Sequence, residues 1–249
     1  EKFFDIKCKS AGLDTAAVIL VATCRALKTH GGVKRSDLAT PNLEGLQSGL
    51  GNLDKHVENI MQFGEKPIVC LNRFAGDHNE EIDLVRKHCT SKLQVPFALS
   101  NVFEEGGAGG IELARTLIQH AEKVSSPYKS LYNWNEDVES KIWKVANGMY
   151  GAQKIHYAKK AERDLASIKK FKYDKLPVCI AKTPASLTDD PKVVGRPENF
   201  SVTVREILIA AGAGFLIPVT GNILRMPGLP KTPQAENIRV KDGRIEGIK

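Results

Sequence analysis

Two short apolar runs on either side of a segment with helical periodicity restrict the fold more than any other feature of this chain. The runs cover residues 67–71 and 95–99. Each run is too short for a helix, so both are predicted to be buried strands. Between them, Ile82, Val85 and Cys89 fall on one face of a helix. A strand, a helix and a strand joined by short loops predict a right-handed crossover between two parallel strands.

The same pattern continues in both directions along the chain. An earlier apolar run at 17–22 is typical of a central parallel strand. A periodic segment from Ile111 to Ile118 predicts a helix after the second strand. Asp77, with Glu80 three residues later, has the pattern of a capping box, so the helix between the two strands is predicted to begin there.

Each loop after the two central strands carries a phenylalanine, where polar turn residues are usual. Phe74 follows the first strand just after Asn72, and Phe103 follows the second strand just before the glycines of 106–110. Parallel strands bring both loops to one edge of the sheet, where ligands bind in open α/β sheets. The two rings could hold a flat heterocycle, with Asn72 and Asn101 at its polar rim and the glycines giving it clearance. Spacing alone slightly favours the alternative, in which both rings pack in the core.

Basic residues follow the earlier strand. Arg25, Lys28 and His30 come after the run at 17–22, close to the predicted carboxyl end of the strand. Such a position suits contact with a phosphate or a carboxylate. A single histidine before two glycines is more often structural, so His30 alone does not define a site.

The formal net charge of +7 raises the question of an anionic partner. Much of the excess lies between Lys154 and Lys175, which would suit a nucleic acid. However, Ala158, Leu165 and Ile168 have the spacing of an amphipathic helix whose basic residues face solvent. No aromatic motif of the RNA-binding type is interleaved with them. The solvent-facing interpretation is therefore favoured, and no nucleic acid partner is expected.

Composition argues against a membrane protein and against a disulfide scaffold. No apolar run approaches the ~20 residues of a membrane span, and the start shows no signal-peptide pattern. The five cysteines are scattered without a CxxC pair, so no metal site is expected and a reducing compartment fits best. A hydrophobic content of 42% and a charged content of 26% are ordinary for a globular protein.

The segment 43–60 has leucines and other apolar residues at helical spacing, which predicts a long amphipathic helix. Three glycines, Gly45, Gly49 and Gly51, interrupt its first half. Each would cost up to about 1 kcal/mol in a helix relative to alanine. They therefore indicate either close approach to a neighbouring backbone or a helix that begins nearer Leu50.

The rest of the chain predicts a smaller, mixed region. Asn135 is expected to cap a helix, and strands are expected at 177–181, 201–208 and 214–219. The Asp-Gly pair at 242–243 predicts a terminal hairpin. The fold class is therefore α/β, with parallel βαβ units followed by a smaller α+β domain at the C-terminus.

Motifs spread along the whole chain resemble formate–tetrahydrofolate ligase, also called formyltetrahydrofolate synthetase. These are EKFFDIKC at 1–8, VATCRALK at 21–28, NRF at 72–74, the loop 103–110 and MPGLPK at 226–231. They keep the order of the C-terminal part of the family, which occurs alone or at the end of C1-tetrahydrofolate synthase.

The resemblance implies an enzyme that joins formate to tetrahydrofolate with hydrolysis of ATP. The reaction passes through formyl phosphate and gives 10-formyltetrahydrofolate, ADP and phosphate. Tetrahydrofolate and ATP with Mg²⁺ are then substrates together with formate. A homo-oligomer is expected, in the cytoplasm or alternatively in the mitochondrion. The domains are expected at 1–49, a remnant of the nucleotide-binding domain, at 50–150, the folate-binding domain, and at 151–249.

The resemblance also implies site residues. Phe74 and Phe103 correspond to the aromatic pair that sandwiches the pterin ring, with Asn72 nearby, although the family usually has tryptophan at the second position. Met226, Pro227 and Gly228 resemble the wall on the adenine side of the nucleotide site. The loop 182–190 resembles a family segment in which glutamine stands where this chain has Pro184.

The family's phosphate loop would end in Gly-Lys-Ser or Gly-Lys-Thr, and this chain contains no Gly-Lys pair. The phosphate site is therefore expected outside this chain, in a missing N-terminal half, and no catalytic residue is expected within it. The alternative is an inactive folate-binding or dimerisation module.

We expect the purified 249-residue chain to show no ATP-dependent formyl transfer, because it lacks a phosphate cradle. A coupled assay with formate, ATP and tetrahydrofolate measures this directly. Turnover above the background without enzyme would contradict the expectation.

Overall fold

A parallel three-stranded sheet is built around the central crossover predicted from the sequence. The computed structural model describes residues 1–122, 127–221, 223, 231–241 and 244–247. The strands are β1 (Ile19–Ala22), β2 (Ile68–Asn72) and β3 (Phe97–Ser100), in the order β1-β2-β3. Ile19 pairs with Ile68, and Val69 pairs with Phe97. The predicted parallel topology is confirmed.

Helices connect and cover these strands. In chain order they are α1 (Lys9–Ala11), α2 (Cys24–His30), α3 (Leu43–Met61), α4 (Asn79–Lys87), α5 (Val102–Glu105), α6 (Ile111–Ala121), α7 (Val138–Val145) and α8 (Lys159–Lys170). π-helical turns at Lys2–Cys8, His88–Lys92 and Ala146–Tyr150 extend three of them. Within the described ranges, no helix is both long and apolar enough to cross a bilayer.

The core of this sheet forms where α3 lies against β2 and α4. Leu46, Leu50, Leu53 and Val57 are all buried along one face of α3, which confirms the predicted amphipathic helix. Strand β2 is buried over its first four residues. Strand β1 stands first in the order β1-β2-β3, so it lies at an edge of this sheet and not at its centre. It also leaves the apolar side chain of Val21 61% exposed.

Two predicted helix caps are wrong, for the same physical reason. Helix α4 is capped by His78, because the Asp77 carboxylate instead accepts a hydrogen bond from the backbone N–H of Phe74 at 3.0 Å. Helix α7 is capped by Asp137, whose carboxylate accepts from the N–H of Ser140 at 2.7 Å, rather than by Asn135. In both cases several capping residues stand close together in the sequence, and local hydrogen bonds within three residues decide where the helix begins.

A second sheet contains β4 (Lys154–Tyr157), β5 (Ser201–Ala210) and β6 (Phe215–Thr220). β4 pairs with β5 in parallel, and β5 pairs with β6 antiparallel, so the two predicted strands around 211–213 are confirmed. The predicted strand at 177–181 makes only two bridges to β6, through Val178 and Ala181. β4 was not predicted, because it is short and lies within the basic stretch.

Helix α8 follows β4 and confirms the solvent-facing interpretation of the basic stretch. Ala161, Leu165 and Ile168 are buried, whereas Lys169 and Lys170 are exposed. At the end of the chain, β7 (Arg239–Lys241) and β8 (Arg244–Glu246) form an antiparallel ribbon. The predicted turn at 242–243 lies outside the described residues.

The predicted domain boundary at Gly49 falls inside α3. In addition, β1 pairs directly with β2, so residues on both sides of that boundary share one sheet. One hydrophobic core lies around this sheet, and another lies around α7, α8, β5 and β6. The division into three domains itself stays a prediction.

Helices α2 and α3 pack with their backbones in contact, and this requires glycine. A Cβ atom at Gly49 would lie 1.8 Å from the Leu27 carbonyl oxygen, and one at Gly31 would lie 1.7 Å from the Gly45 carbonyl oxygen. At Gly51 the nearest heavy atom would be the Cβ of Arg196, at 3.5 Å. Close approach therefore explains Gly49 but not Gly51.

We expect Gly49→Ala to destabilise the fold by about 1–3 kcal/mol, because the added methyl group forces α2 and α3 apart. Gly51→Ala is the matched control in the same helix. It is expected to be neutral or to stabilise by up to about 1 kcal/mol. Denaturant unfolding measures both variants, and equal stabilities would contradict the helix–helix contact.

Candidate functional site

The carboxyl ends of β2 and β3 bring the predicted folate-site residues to one edge of the sheet. Asn72 ends β2 and is in register with Ser100, which ends β3. The N–H of Arg73 donates to the carbonyl oxygen of Ser100 at 2.9 Å, so the two loops start side by side. Phe74 follows in one loop, and Phe103 lies in α5, directly after the other strand.

The two phenylalanine rings differ in their surroundings. Phe103 is 81% exposed, so the interpretation that both rings pack in the core is wrong for this residue. Phe74 is half-buried, and the Arg25 guanidinium lies 4.9 Å from the centroid of its ring. A guanidinium at that distance is attracted to the ring face, so Arg25 supports Phe74 from one side. Arg25 therefore reaches the edge of the sheet from the end of β1, as its position in the sequence predicts.

The loop after β3 folds back on the end of its own strand. The N–H of Asn101 donates to the Gly109 carbonyl oxygen at 3.0 Å. A Cβ at Gly109 would lie 2.4 Å from the Asn101 carbonyl oxygen. The clearance at Gly109 is thus needed by the chain itself, so the interpretation that the glycines make room for a ligand is wrong for Gly109. A Cβ at Gly106, Gly107 or Gly110 would meet nothing within 4 Å, so for these three glycines the interpretation stays a prediction.

Two buried polar atoms at this edge have no hydrogen-bond partner. They are Nε of Arg73, a donor, and Oδ1 of Asn101, an acceptor. The Asn101 amide donates instead to the Glu105 carboxylate at 2.7 Å, which fixes its orientation. An unpaired buried polar group costs about 1–3 kcal/mol. One donor and one acceptor of residues at this edge are therefore buried and unpaired in the fold, and the sequence did not single out Arg73 as a site residue.

Beneath the edge lies a buried cluster of Cys24, Asp77 and Glu81, whose ligand-type atoms lie within 4.8 Å of one another. Lys28 already pairs with one of its two carboxylates, because its ammonium lies 3.0 Å from that of Glu81 with both side chains fully buried. Burial also raises the pKa of the Cys24 thiol to about 12, so it is protonated at neutral pH and is a poor metal ligand. The cluster suits a structural role better than a metal site.

The Lys28 pair connects distant parts of the sheet domain. The Glu81 carboxylate also accepts from the N–H of Asn42 at 2.9 Å, and Lys28 donates to the Thr40 carbonyl oxygen at 3.1 Å. Lys28 is therefore committed inside the fold, which corrects the expectation that it could meet a phosphate. The loop that contains Thr40 and Asn42 is thus hydrogen-bonded to this pair.

Two further regions were predicted from the family resemblance, the loop 182–190 and the segment 226–228. Pro184 is exposed in the loop 182–190. Met226, Pro227 and Gly228, predicted at the adenine side of the nucleotide site, lie outside the described residues.

We expect Glu81→Gln to lower the free energy of unfolding by about 3–5 kcal/mol, because Lys28 is then buried opposite a neutral amide. Glu112→Gln is the matched control. Glu112 pairs with Arg86 at 3.2 Å with both side chains 40% or more exposed, and such pairs contribute under ~1 kcal/mol. Calorimetric or denaturant unfolding compares them, and equal losses would rule out a dominant buried pair.

The whole chain matches the family model for formate–tetrahydrofolate ligase, over residues 1–249. It is 47% identical over 249 residues to the formate–tetrahydrofolate ligase of Parabacteroides distasonis. The match covers all of this chain but 45% of that relative, so the chain spans less than half of its length. The match over the full length of the chain shows that it belongs to the formate–tetrahydrofolate ligase family.

Proposed function

We propose that this chain is part of a ligase that joins formate to tetrahydrofolate using ATP, and that it contributes the folate pocket. The reaction passes through formyl phosphate and yields 10-formyltetrahydrofolate, ADP and phosphate. Membership of the family supports the reaction, and the 45% coverage of the relative supports a partial chain. The phosphate site and any catalytic residues are then supplied by polypeptide outside these 249 residues.

The observation that carries the pocket proposal is the grouping of two aromatic rings and two unpaired polar atoms at one edge. Phe74 and Phe103 follow neighbouring parallel strands. Nε of Arg73 and Oδ1 of Asn101 are buried there without partners. A pterin ring has flat faces and an amide-like edge with donors and acceptors side by side. It could therefore stack on the rings and satisfy both polar atoms, with Asn72 nearby.

The exposed position of Phe103 is compatible with this role. A ring that is 81% exposed gains nothing from burial in the present fold, so it contributes to affinity when a ligand covers it. Phe74 is held more firmly, by Arg25 on one face and by the hydrogen bond from its N–H to Asp77. We therefore propose Phe74 as the supported wall of the pocket, and Phe103 as the exposed wall that a bound ligand covers.

The chain's own part in the chemistry is to position the folate and exclude water from it. The pterin held at the edge would direct the reactive nitrogen of tetrahydrofolate towards formyl phosphate, held by the rest of the enzyme. Charge on the transferring oxygens requires a phosphate cradle and Mg²⁺. The buried Cys24, Asp77 and Glu81 do not fit Mg²⁺, because Lys28 occupies Glu81 and Mg²⁺ prefers oxygen ligands and water. The metal ion is therefore proposed to accompany ATP.

The other candidate, an inactive folate-binding or dimerisation module, uses the same pocket. It is motivated by the lack of a Gly-Lys pair in the chain. A phosphate loop elsewhere in the same polypeptide would exclude this candidate. The nucleotide wall proposed at Met226, Pro227 and Gly228 belongs to the ligase alone.

We expect Phe74→Ala and Phe103→Ala each to weaken binding of a folate analogue by at least about fivefold in the complete enzyme. Stacking contributes ~0.5–1.5 kcal/mol in addition to the area that is buried. Phe103→Trp is expected to hold or strengthen binding, because the ring is larger. The Michaelis constant for ATP should stay nearly unchanged. Isothermal titration and steady-state kinetics measure these effects.

Phe171→Ala is the matched control, because Phe171 is also an exposed phenylalanine, at 60%, but lies at the end of α8. It should leave folate affinity unaltered. If both variants at the sheet edge bind the analogue as the control does, the two rings are not part of a folate pocket.

A further inference from the structure

A second concave site lies away from the edge that carries Phe74 and Phe103. It is a cavity of about 400 Å³ between the end of α2, one face of α3 and the loop that begins at Lys182. His30, Asn52, His56, Asn59, Tyr150 and Lys182 are among the residues that line it. Neither phenylalanine of the proposed folate pocket lines this cavity, so its ligand is a separate question.

Basic groups predominate in the wall. Lys2, His30, His56 and Lys182 line the cavity, whereas Glu1 is the one carboxyl side chain among its described residues. Burial raises the pKa of Glu1 to about 7, so this carboxyl group opposes an anion less than an ordinary glutamate would. The cavity therefore favours negative charge.

The basic groups are close enough to influence one another. Although His56 keeps an exposed surface, the protein packed around its ring lowers its pKa, and the nearby charges of His30, Lys182 and Lys55 lower it further. Repulsion of this kind is relieved when an anion enters between the groups. The exposed side chain of His56 places it at the accessible side of the wall.

His30 presents a hydrogen-bond donor. Its Nδ1 accepts from the N–H of Gly195 at 3.1 Å, so the ring proton of the neutral form lies on Nε2. Lys182 is held in place by three backbone carbonyl oxygens, those of Thr183 at 2.8 Å, of Ser186 and of Thr188 at 3.2 Å, so its N–H groups are paired and it contributes its positive charge. Burial lowers its pKa to about 8. Both side chains are thus positioned before any ligand arrives.

Asn59 adds the opposite requirement, an acceptor. The side chain is only 6% exposed, and its amide nitrogen donates to the Met149 carbonyl oxygen at 2.7 Å. This bond sets the orientation of the amide group, and its other polar atom, Oδ1, has no hydrogen-bond partner. Because an unpaired buried acceptor is costly, a ligand with its own O–H group would be preferred over one without.

We propose that this cavity binds a small oxyanion that carries a hydrogen-bond donor, the chemical class of hydrogen phosphate. The anion accepts from His30 Nε2, lies near the positive charge of Lys182, and donates its O–H to Oδ1 of Asn59. A water molecule occupies about 30 Å³ of liquid, so the cavity has room for such an anion with its hydration. The site does not depend on ligase activity, because it can be filled without ATP, formate or folate.

The test is isothermal titration of the complete chain with inorganic phosphate and, separately, with sulfate at neutral pH. Hydrogen phosphate carries an O–H group and sulfate carries none, so phosphate is expected to bind at least about tenfold more tightly. His56→Glu puts a negative charge at the accessible wall and is expected to weaken phosphate binding at least tenfold, about 1.4 kcal/mol.

His156→Glu is the matched control, because His156 is an exposed histidine in β4 that does not line the cavity. It should bind phosphate as the unaltered chain does, and thermal melting checks that both variants are folded. No phosphate binding, equal affinity for sulfate, or equal effects of the two substitutions would each overturn the proposal. These measurements leave the folate proposal untouched, since they do not involve Phe74 or Phe103.

Discussion

The hydrogen bonding of β2 between two parallel neighbours is the constraint on which the rest of this structure depends. Because β1, β2 and β3 run in the same direction, all three following loops leave one edge of the sheet. Arg25, Phe74 and Phe103 lie in the segments that directly follow β1, β2 and β3, although they are far apart in the sequence. The parallel direction of the strands therefore places the residues of the candidate folate site together. The short segments after the strands carry their side chains.

That edge is supported from below by packing that tolerates little change. Gly49 lets α3 touch the backbone of α2, and the pair of Lys28 and Glu81 joins α2 to the start of α4. The loop of Phe74 is fixed through Asp77, close to the same pair. The tightly packed helices below the edge and the exposed ring of Phe103 above them suit a preorganised binding site.

The sequence predicts the elements well because their signals are local. The apolar runs of β2 and β3 and the leucines of α3 need no knowledge of distant residues. Caps and short strands are less predictable. Around Asp77 neighbouring capping candidates differ little, and β4 is a short strand within a basic stretch, so its pattern gives a weak signal. The unpaired atoms of Arg73 and Asn101 could not be predicted at all. Whether a polar atom finds a partner depends on every segment that folds around it.

The loops after the two parallel strands drew attention to Phe74 and Phe103, and the family resemblance gave them the pterin role, while spacing alone slightly favoured the core for both. Burial separates the two possibilities for Phe103, because a ring that is 81% exposed is not a core residue. The ion pair of Lys28 and Glu81 is the opposite case, in which charged residues are buried. Both residues look like ordinary surface charges in the sequence, and only the fold reveals that neither reaches solvent.

The exposed edge of β1 has a consequence of its own. β1 exposes the apolar side chain of Val21, and in the part of the chain that the structure describes it pairs with β2 alone, so its other side could accept a further strand. Parallel sheets in proteins are normally covered on both faces, and a bare apolar edge attracts any extended chain that can pair with it. The four residues of β1 can thus pair with a strand that completes the sheet, or with the same strand of a second molecule, which would lead to aggregation.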